Sequence, residues 1–241
     1  MTTDISEVAD GIFRISSYMP DGPPGGITFN QFLVVDDEPL LFHTGTRRLF
    51  RATCDAAATL IDVETLRWIS SCHASRPDEY GALAEWEAAA PVAQVAHGQV
   101  GCFLCLSDMT ERALRPLANG EALDVGEHRL RWIDTPHVPG PWEAGVLFDE
   151  STATLFCGDL FSRTGTAPPT TNDDVAHAAI AHDQLMHGHA YTPATGRTLR
   201  ELAALAPQRL ALMHGPTFVG DGAAQLLVLA DYFDAQLDRV A

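Results

Sequence analysis

The sequence predicts an α/β fold of αββα type: two sheets packed face to face, with helices over both outer faces. Three observations lead there. Each half of the chain combines hairpin-linked apolar runs with strand–helix units. Neither half can bury its own sheet alone, so the two sheets must cover each other. No linker, low-complexity tract or short-period repeat separates the halves, so residues 1–241 read as a single domain.

In chain order, "GIFRIS" reads as a short strand, and "MPDGPPGG" as a Pro/Gly loop. "FNQFLVV" and "PLLFHTG" flank the acidic turn "DDE", which is a hairpin pattern. "RRLFRATCDAAATLI" has helical spacing, with Leu49, Cys54 and Ala58 recurring at four to five residues. "LRWISSC" reads as a buried strand, "PDEYGALAEWEAAA" as a helix and "AQVAHG" as another strand. In the second half, "HRLRWIDTP", "AGVLFDE" and "ATLFCGD" are three successive strands. The polar connection "SRTGTAPPTTNDD" leads to helices at about 175–190 and 194–206, the strand "RLALMH", and the closing helix "GAAQLLVLADYFDAQLDRV".

Composition narrows the function classes. Apolar residues make up 46% of the chain and charged residues 20%, which supports a large core. The formal net charge of −17 repels phosphate backbones and anionic membrane surfaces, so neither nucleic acid nor membrane is an expected partner. The start "MTTDISEVADGIFRI" lacks a basic n-region and an apolar h-region, so no signal peptide is expected. No apolar run approaches the roughly 18 residues of a membrane span. Cys54, Cys72, Cys102, Cys105 and Cys157 then fit free thiols in a reducing cytoplasm better than a disulfide framework.

Chemistry-bearing side chains recur at one kind of position, the loop after a buried strand. "SSCHASRPDE" follows "LRWI", "DTPHVPGPW" follows "RLRWI", "CGDLF" follows "ATLF", and "MHGPTF" follows "RLAL". Strand ends converge on one face of a sheet, where ligands usually bind. His73, Asp78, Glu79, His137, Asp159 and His214 are therefore expected to meet. Taken singly, each has a plainer reading. Asp78 and Glu79 suit the capped first turn of a helix, Asp159 suits a turn, and a lone histidine at a strand end is commonly a satisfied side chain.

In these ordered motifs the chain resembles the metallo-β-lactamase superfamily, and within it the oxygen-binding di-iron proteins, the counterpart of the di-iron domain of flavodiiron proteins. The resemblance rests on "FNQFLVVDDEPLLFHTG", the "H…DEYGAL" loop, "TPHVPGPWEAGVLF", "LFCGDLF", "AYTP" and "LALMHGPTF". His43 in "LFHTG" points to the di-iron branch, because most hydrolases of the superfamily carry aspartate there. The resemblance implies two metal ions, with iron favoured over manganese or zinc. One metal would take His73, His137 and the bridging carboxylate Asp159; the other would take Asp78, Glu79, Asp159 and His214. It also places His43, Trp142 and Tyr191 near the pocket. It implies binding or reduction of O₂ or NO with an external electron donor, and a homodimer. The same metals would serve a hydrolase acting on a small ester, thioester or lactam through a metal-bound hydroxide, and a metal-poor scaffold acting through a partner is the third reading.

One motif departs from the family pattern. The second-position glutamate of His-x-Glu-x-Asp is missing. Held fixed at His73, the motif puts Ser75 there; counted back from Asp78, it puts Arg76 there and Ala74 at the histidine. A guanidinium cannot ligate a metal, but it can supply a positive charge in a metal's place. A second departure is Gly140 and Pro141, where relatives often carry another histidine.

Other motifs carry less. "CFLC" reads as buried helical cysteines. His177, His182, His187 and His189 fall at steps of five, five and two, which favours a solvated polar face, with His189 the one nearest the helix end. "GPPGG" lacks the Lys-Ser/Thr ending of a phosphate loop and suits a wall of the site or a plain turn. "SRTGTAPPTTNDD" suits a lid or a surface loop. No G-x-G-x-x-G occurs and no flavodoxin-like segment follows, so neither flavin nor nicotinamide is expected.

Overall fold

The computed structural model describes residues 2–21, 23, 25–140, 142–187 and 189–240, apart from the side chain of Val240. Among these, two seven-stranded sheets face each other. The first runs β1 (Thr2–Ala9), β2 (Ile12–Met19), β3 (Ile27–Val34), β4 (Leu40–Phe42), β5 (Trp68–Ser70), β6 (Gln94–Gly98), β7 (Arg115–Leu117), in that order across the sheet. β1 to β4 form an antiparallel meander, and β4 to β7 are parallel. The switch follows from the connections. Short connections without helices join the early strands, whereas helices α1 (Phe50–Ala57), α2 (Pro77–Tyr80) and α3 (Leu83–Ala89) cross between the later ones.

A helical run fills the space between β6 and β7: α4 (Gln99–Gly101), a π-helical turn (Cys102–Leu106) and α5 (Ser107–Met109). It contains the "CFLC" pair, with Cys102 buried and Cys105 half-buried; all five cysteines are free. The second sheet follows with β8 (Ala122–Asp124), β9 (Arg129–Asp134), β10 (Gly145–Asp149), β11 (Thr154–Gly158), β12 (Thr170–Thr171), α6 (Ala176–Met186), α7 (Thr195–Ala203), β13 (Arg209–Leu212), β14 (Thr217–Val219) and α8 (Gly222–Val240). Across the sheet the order is β12-β14-β13-β11-β10-β9-β8. Among the described residues no helix is long and apolar enough to cross a membrane.

Alternation along the strands fixes which residues meet between the sheets. Ile12, Phe32, Val34 and Phe42 point inward against Trp132, Leu147, Phe156 and Ala211, which share the inner face of the second sheet. Phe156 takes Phe42 and Phe32 at ring-centroid distances of 5.0 and 5.8 Å. The neighbouring Ile15, Leu33, Leu41 and Ile69 point outward under α1 and α3, where Trp86 is fully buried. The expected αββα sandwich is the observed one. The strands β1, β7, β8, β12 and β14 go beyond the sequence expectation. The helix expected over 77–90 is interrupted at Gly81, where a Cβ would lie 2.0 Å from the Pro77 carbonyl.

The second sheet carries a buried ion pair. Asp149, fully buried at the end of β10, accepts from His128 Nδ1 at 3.0 Å, from the Thr152 hydroxyl at 2.6 Å and from the Ser151 and Thr152 amides. The hydrogen bond to Asp149 raises His128 above its ordinary pKa, against the cost of burial. Burial alone would raise Asp149, but the hydrogen bonds from His128 and Thr152 hold it below the usual range. A raised histidine stabilises the fold below its unfolded pKa of about 6.5, and that stability fades as pH rises through the folded value. The depressed aspartate stabilises above its unfolded pKa of about 4 and loses this as pH falls. The pair therefore contributes most between about pH 4 and 6.5. Asp149→Asn is expected to cost about 2–4 kcal/mol at pH 5.5 and less at pH 8.5. An equal loss of melting temperature at both pH values would rule out the charged pair as its source.

Candidate metal centre

Three of the six expected ligands come together. Asp78 lies in the first turn of α2, Asp159 follows β11, and His214 follows β13. Each offers one atom, and these atoms lie within 4.8 Å of one another. His214 Nε2 is 3.2 Å from Asp159 Oδ1 and 3.5 Å from Asp78 Oδ2. Its other nitrogen, Nδ1, lies 2.8 Å from the Thr28 carbonyl oxygen, to which it must donate. With that proton committed, Nε2 turns its lone pair toward two carboxylates, an arrangement that requires either a second proton on the ring or a cation among the three groups. A histidine held by a backbone carbonyl through its far nitrogen is how proteins orient metal ligands.

The first loop is built around Glu79, which does not join this group. Its carboxylate is fully buried and faces the other way. Oε1 takes His73 Nδ1 at 2.6 Å, and Oε2 takes the His73 amide at 2.6 Å and the Ser71 hydroxyl. Burial would raise Glu79, yet the hydrogen bonds from His73 and Ser71 hold it at about 2. Glu79, His43 and Cys72 form a second compact group, all buried. Burial pushes the Cys72 thiol well up and His43 down to about 4, so this group sits as thiol, neutral imidazole and carboxylate.

Arg76, at the missing-glutamate position in one of the two alignments, reaches the three-residue group. Its guanidinium is ion-paired to Asp159 Oδ2, the carboxylate expected to bridge two metals. Ala74 is fully buried, and its amide donates to Glu143 Oε2 at 3.0 Å. Ser75, the other candidate, is exposed. His73 is committed to Glu79, and its Nε2 packs against Gly140, where a Cβ would lie 2.7 Å away. His137 stands outside the group. It is exposed, has φ of +67°, and its Nδ1 accepts from the Trp142 amide at 2.8 Å. Its ring lines a separate cavity of about 160 Å³ with Trp132 and Trp142. Trp142, 52% exposed, walls that cavity rather than the aspartate–histidine group. Pro141 lies outside the described residues.

A cavity of about 210 Å³ opens over Asp78, Asp159 and His214. Arg76, Ile27, Pro139 and Ser162 line it, together with His182, Asp183, Met186 and His189 from the end of α6. Two of the histidines expected on a solvated face are thus cavity walls, while His177 and His187 are exposed as expected. His187 ends the helix in a left-handed conformation, φ +50°, which turns the chain back and brings His189 to the same wall as His182. Asp183 fixes this corner. It accepts from His189 Nδ1 at 2.8 Å, Tyr191 at 2.7 Å and Tyr232 at 2.9 Å. These hydrogen bonds override burial and hold Asp183 at about 2. Tyr191 thus supports the wall through Asp183. Helical spacing alone could not reveal this, because His189 arrives only through the left-handed turn. Of the two loops considered as walls or lids, "GPPGG" contributes Pro23 and "SRTGTAPPTTNDD" contributes Ser162. Gly165 donates to the Gly26 carbonyl at 2.8 Å, tying the two loops together; Gly22 and Pro24 lie outside the described residues.

The Asp78, Asp159 and His214 donor set fits a metal ion. One imidazole and two carboxylates suit a hard or borderline ion such as iron or manganese. Of the remaining expected ligands, His73 is held by Glu79 through Nδ1 and keeps a buried, unpartnered Nε2, His137 is turned outward, and the Arg76 site is cationic.

Known proteins share the fold and the family of this chain. The chain is 25% identical over 202 residues to the putative diflavin flavoprotein A 1 of Nostoc sp. (strain PCC 7120); the match covers 81% of this chain but only 34% of that protein. Its fold is shared with a fragment (residues 1–254) of the putative diflavin flavoprotein A 5 of Nostoc sp. PCC 7120. The TM-score is 0.85 at 16% identity, over 99% of this chain and 98% of that one. It is shared too with the rubredoxin oxygen:oxidoreductase of Desulfovibrio gigas, with a TM-score of 0.81 at 17% identity, over 96% of this chain and 62% of that one. The family model for the ODP family beta lactamase matches residues 27–215, which spans Asp78, Asp159 and His214, and the chain belongs to that family.

Proposed function

We propose that this protein binds O₂ or NO at a single metal ion, iron in preference to manganese or zinc, held by Asp78, Asp159 and His214, with electrons from a separate donor. The observation that carries the single-metal reading is the Arg76–Asp159 ion pair, which supplies a fixed positive charge beside the three-ligand group. The O₂ or NO reading draws on the family and on relatives described as diflavin flavoproteins and as an oxygen oxidoreductase. Bound iron would supply a redox-active Lewis acid with open coordination positions.

The remaining parts of the site belong to the chain itself. His214 is oriented by Thr28 and cannot swing away without breaking that bond. Arg76 offsets one of the two carboxylate charges and presents guanidinium N–H groups to the cavity. His189, with Nδ1 fixed on Asp183, has Nε2 free to meet a small ligand. Ile27, Pro139 and Met186 make part of the wall apolar, and about 210 Å³ suits a small molecule.

Protein purified without added metal or a histidine tag is expected to contain about one metal per chain by mass spectrometry, with iron in excess. Two irons per chain would restore the di-iron reading; zinc with ester turnover would favour the hydrolase. The reduced, iron-loaded protein is expected to change its absorption spectrum with NO or O₂, and no response to either gas would sink the gas-binding reading. Arg76→Gln removes a charge that competes with the metal for Asp159, so it is expected to tighten metal binding about tenfold in a chelator competition. Unchanged or weaker binding would mean that Arg76 does not compete for Asp159.

A further inference from the structure

A second polar cavity lies at the end of the inter-sheet space where β1, β2 and β3 leave the apolar core. Along β2 the alternation that sends Ile12 into the core also sends Arg14, Ser16 and Tyr18 to the inner face. On β3, opposite Arg14, Ser16 and Tyr18, stand Phe32, Asn30 and Thr28. The face is therefore apolar at one end and polar at the other. The polar end surrounds a cavity of about 400 Å³, bordered by Arg14, Ser16, Tyr18, Thr28, Asp4 and Thr166. That volume is within the range of about 300–1,000 Å³ usual for small-molecule sites.

Arg14 is the unusual member. It is 2% exposed, yet no carboxylate among the described residues comes within ion-pair distance of it. A guanidinium carries five N–H donors. Here Nη2 donates to the Gly215 carbonyl at 3.1 Å, while Nε has no partner. Beside it the Thr28 hydroxyl, 3% exposed, is also unpartnered. Burial lowers the Arg14 pKa to about 10, with Asp4 acting in the opposite direction, so the side chain remains a full cation at neutral pH. A buried, unpaired charge is costly, and proteins retain one where something compensates it.

We infer that this cavity binds a small carboxylate anion, seated against the Arg14 guanidinium and hydrogen-bonded by the Ser16 and Thr28 hydroxyls. A carboxylate matches the planar fork with two parallel N–H···O bonds. The charges select a monoanion. Asp4 stands at the exposed rim, and the chain carries a net −17, so each further negative charge on the ligand meets repulsion with only one buried cation to offset it. The hydroxyl-bearing walls favour a small hydroxy acid over a purely apolar one. The cavity meets the aspartate–histidine group only through its frame: Arg14 holds the carbonyl of Gly215, and Thr28 holds His214. The inference does not depend on which metal, if any, is bound.

The test is calorimetric titration of the chelator-treated full chain with sodium lactate, at ionic strength fixed with chloride, with inorganic phosphate as the competing anion. The expected result is saturable binding of lactate, weaker binding of phosphate, loss of at least about tenfold in affinity in Arg14→Gln, and a several-fold gain in Asp4→Asn. Asp4 is exposed, so Asp4→Asn keeps the test decisive if Arg14→Gln does not fold. No saturation by lactate, affinity unchanged in Asp4→Asn, or retained affinity in a folded Arg14→Gln would overturn the site. Preference for phosphate would overturn the ligand class.

Discussion

The buried carboxylate of Glu79 governs the site. A fully buried negative charge has to be compensated, and the chain does so locally: Ser71, the His73 amide and the His73 ring all turn toward it. This closes residues 71–79 into a compact loop. Once that loop is closed, the rest follows sterically. His73 faces inward, Ala74 is buried against Glu143, Ser75 is pushed to the surface, and Arg76 is left at the rim where it reaches Asp159. Adjacent in sequence, Asp78 and Glu79 serve different masters. Asp78 looks into the cavity, whereas Glu79 holds the floor beneath it.

Much of the fold was legible because it depends on pattern. The alternation of β9 and the helical spacing of α1, α7 and α8 report burial on one face, while the continuous apolar runs of β10 and β11 report strands covered on both faces, as the layered core requires. The short strands were not legible for the same reason. β7, β8, β12 and β14 are two or three residues long, too few for a period of two to register, and they exist because a neighbouring edge offers hydrogen bonds. β1 was missed because "TTDISEVA" is polar, and its partner β2 supplies the register.

At the site, convergence of strand ends brought Asp78, Asp159 and His214 together as spacing implied. The sequence could not reveal which way a side chain turns within a loop. His137 lies at the expected strand end, yet its left-handed backbone and the Trp142 amide direct its ring outward. His182 and His189 join the wall because one residue, His187, ends α6 in a left-handed conformation. Each of these outcomes depends on a single backbone torsion or a single hydrogen bond, below the resolution of any periodicity.

The cations show a further consistency. All 15 basic residues of this chain are arginine. Lysine readily gives up its proton when buried, and a neutral amine would leave Asp159 uncompensated. Arginine stays charged, and its rigid fork keeps its direction, so it can hold a position that would otherwise call for a metal ion or a bound anion. Arg76 and Arg14 use this property in opposite ways. Arg76 has found its carboxylate within the chain, so its charge is spent on shaping the site. Arg14 reaches no carboxylate among the described residues and keeps an unpartnered N–H, so its charge remains available. Both are anchored to the loops that follow β11 and β13, Arg76 through Asp159 and Arg14 through Gly215.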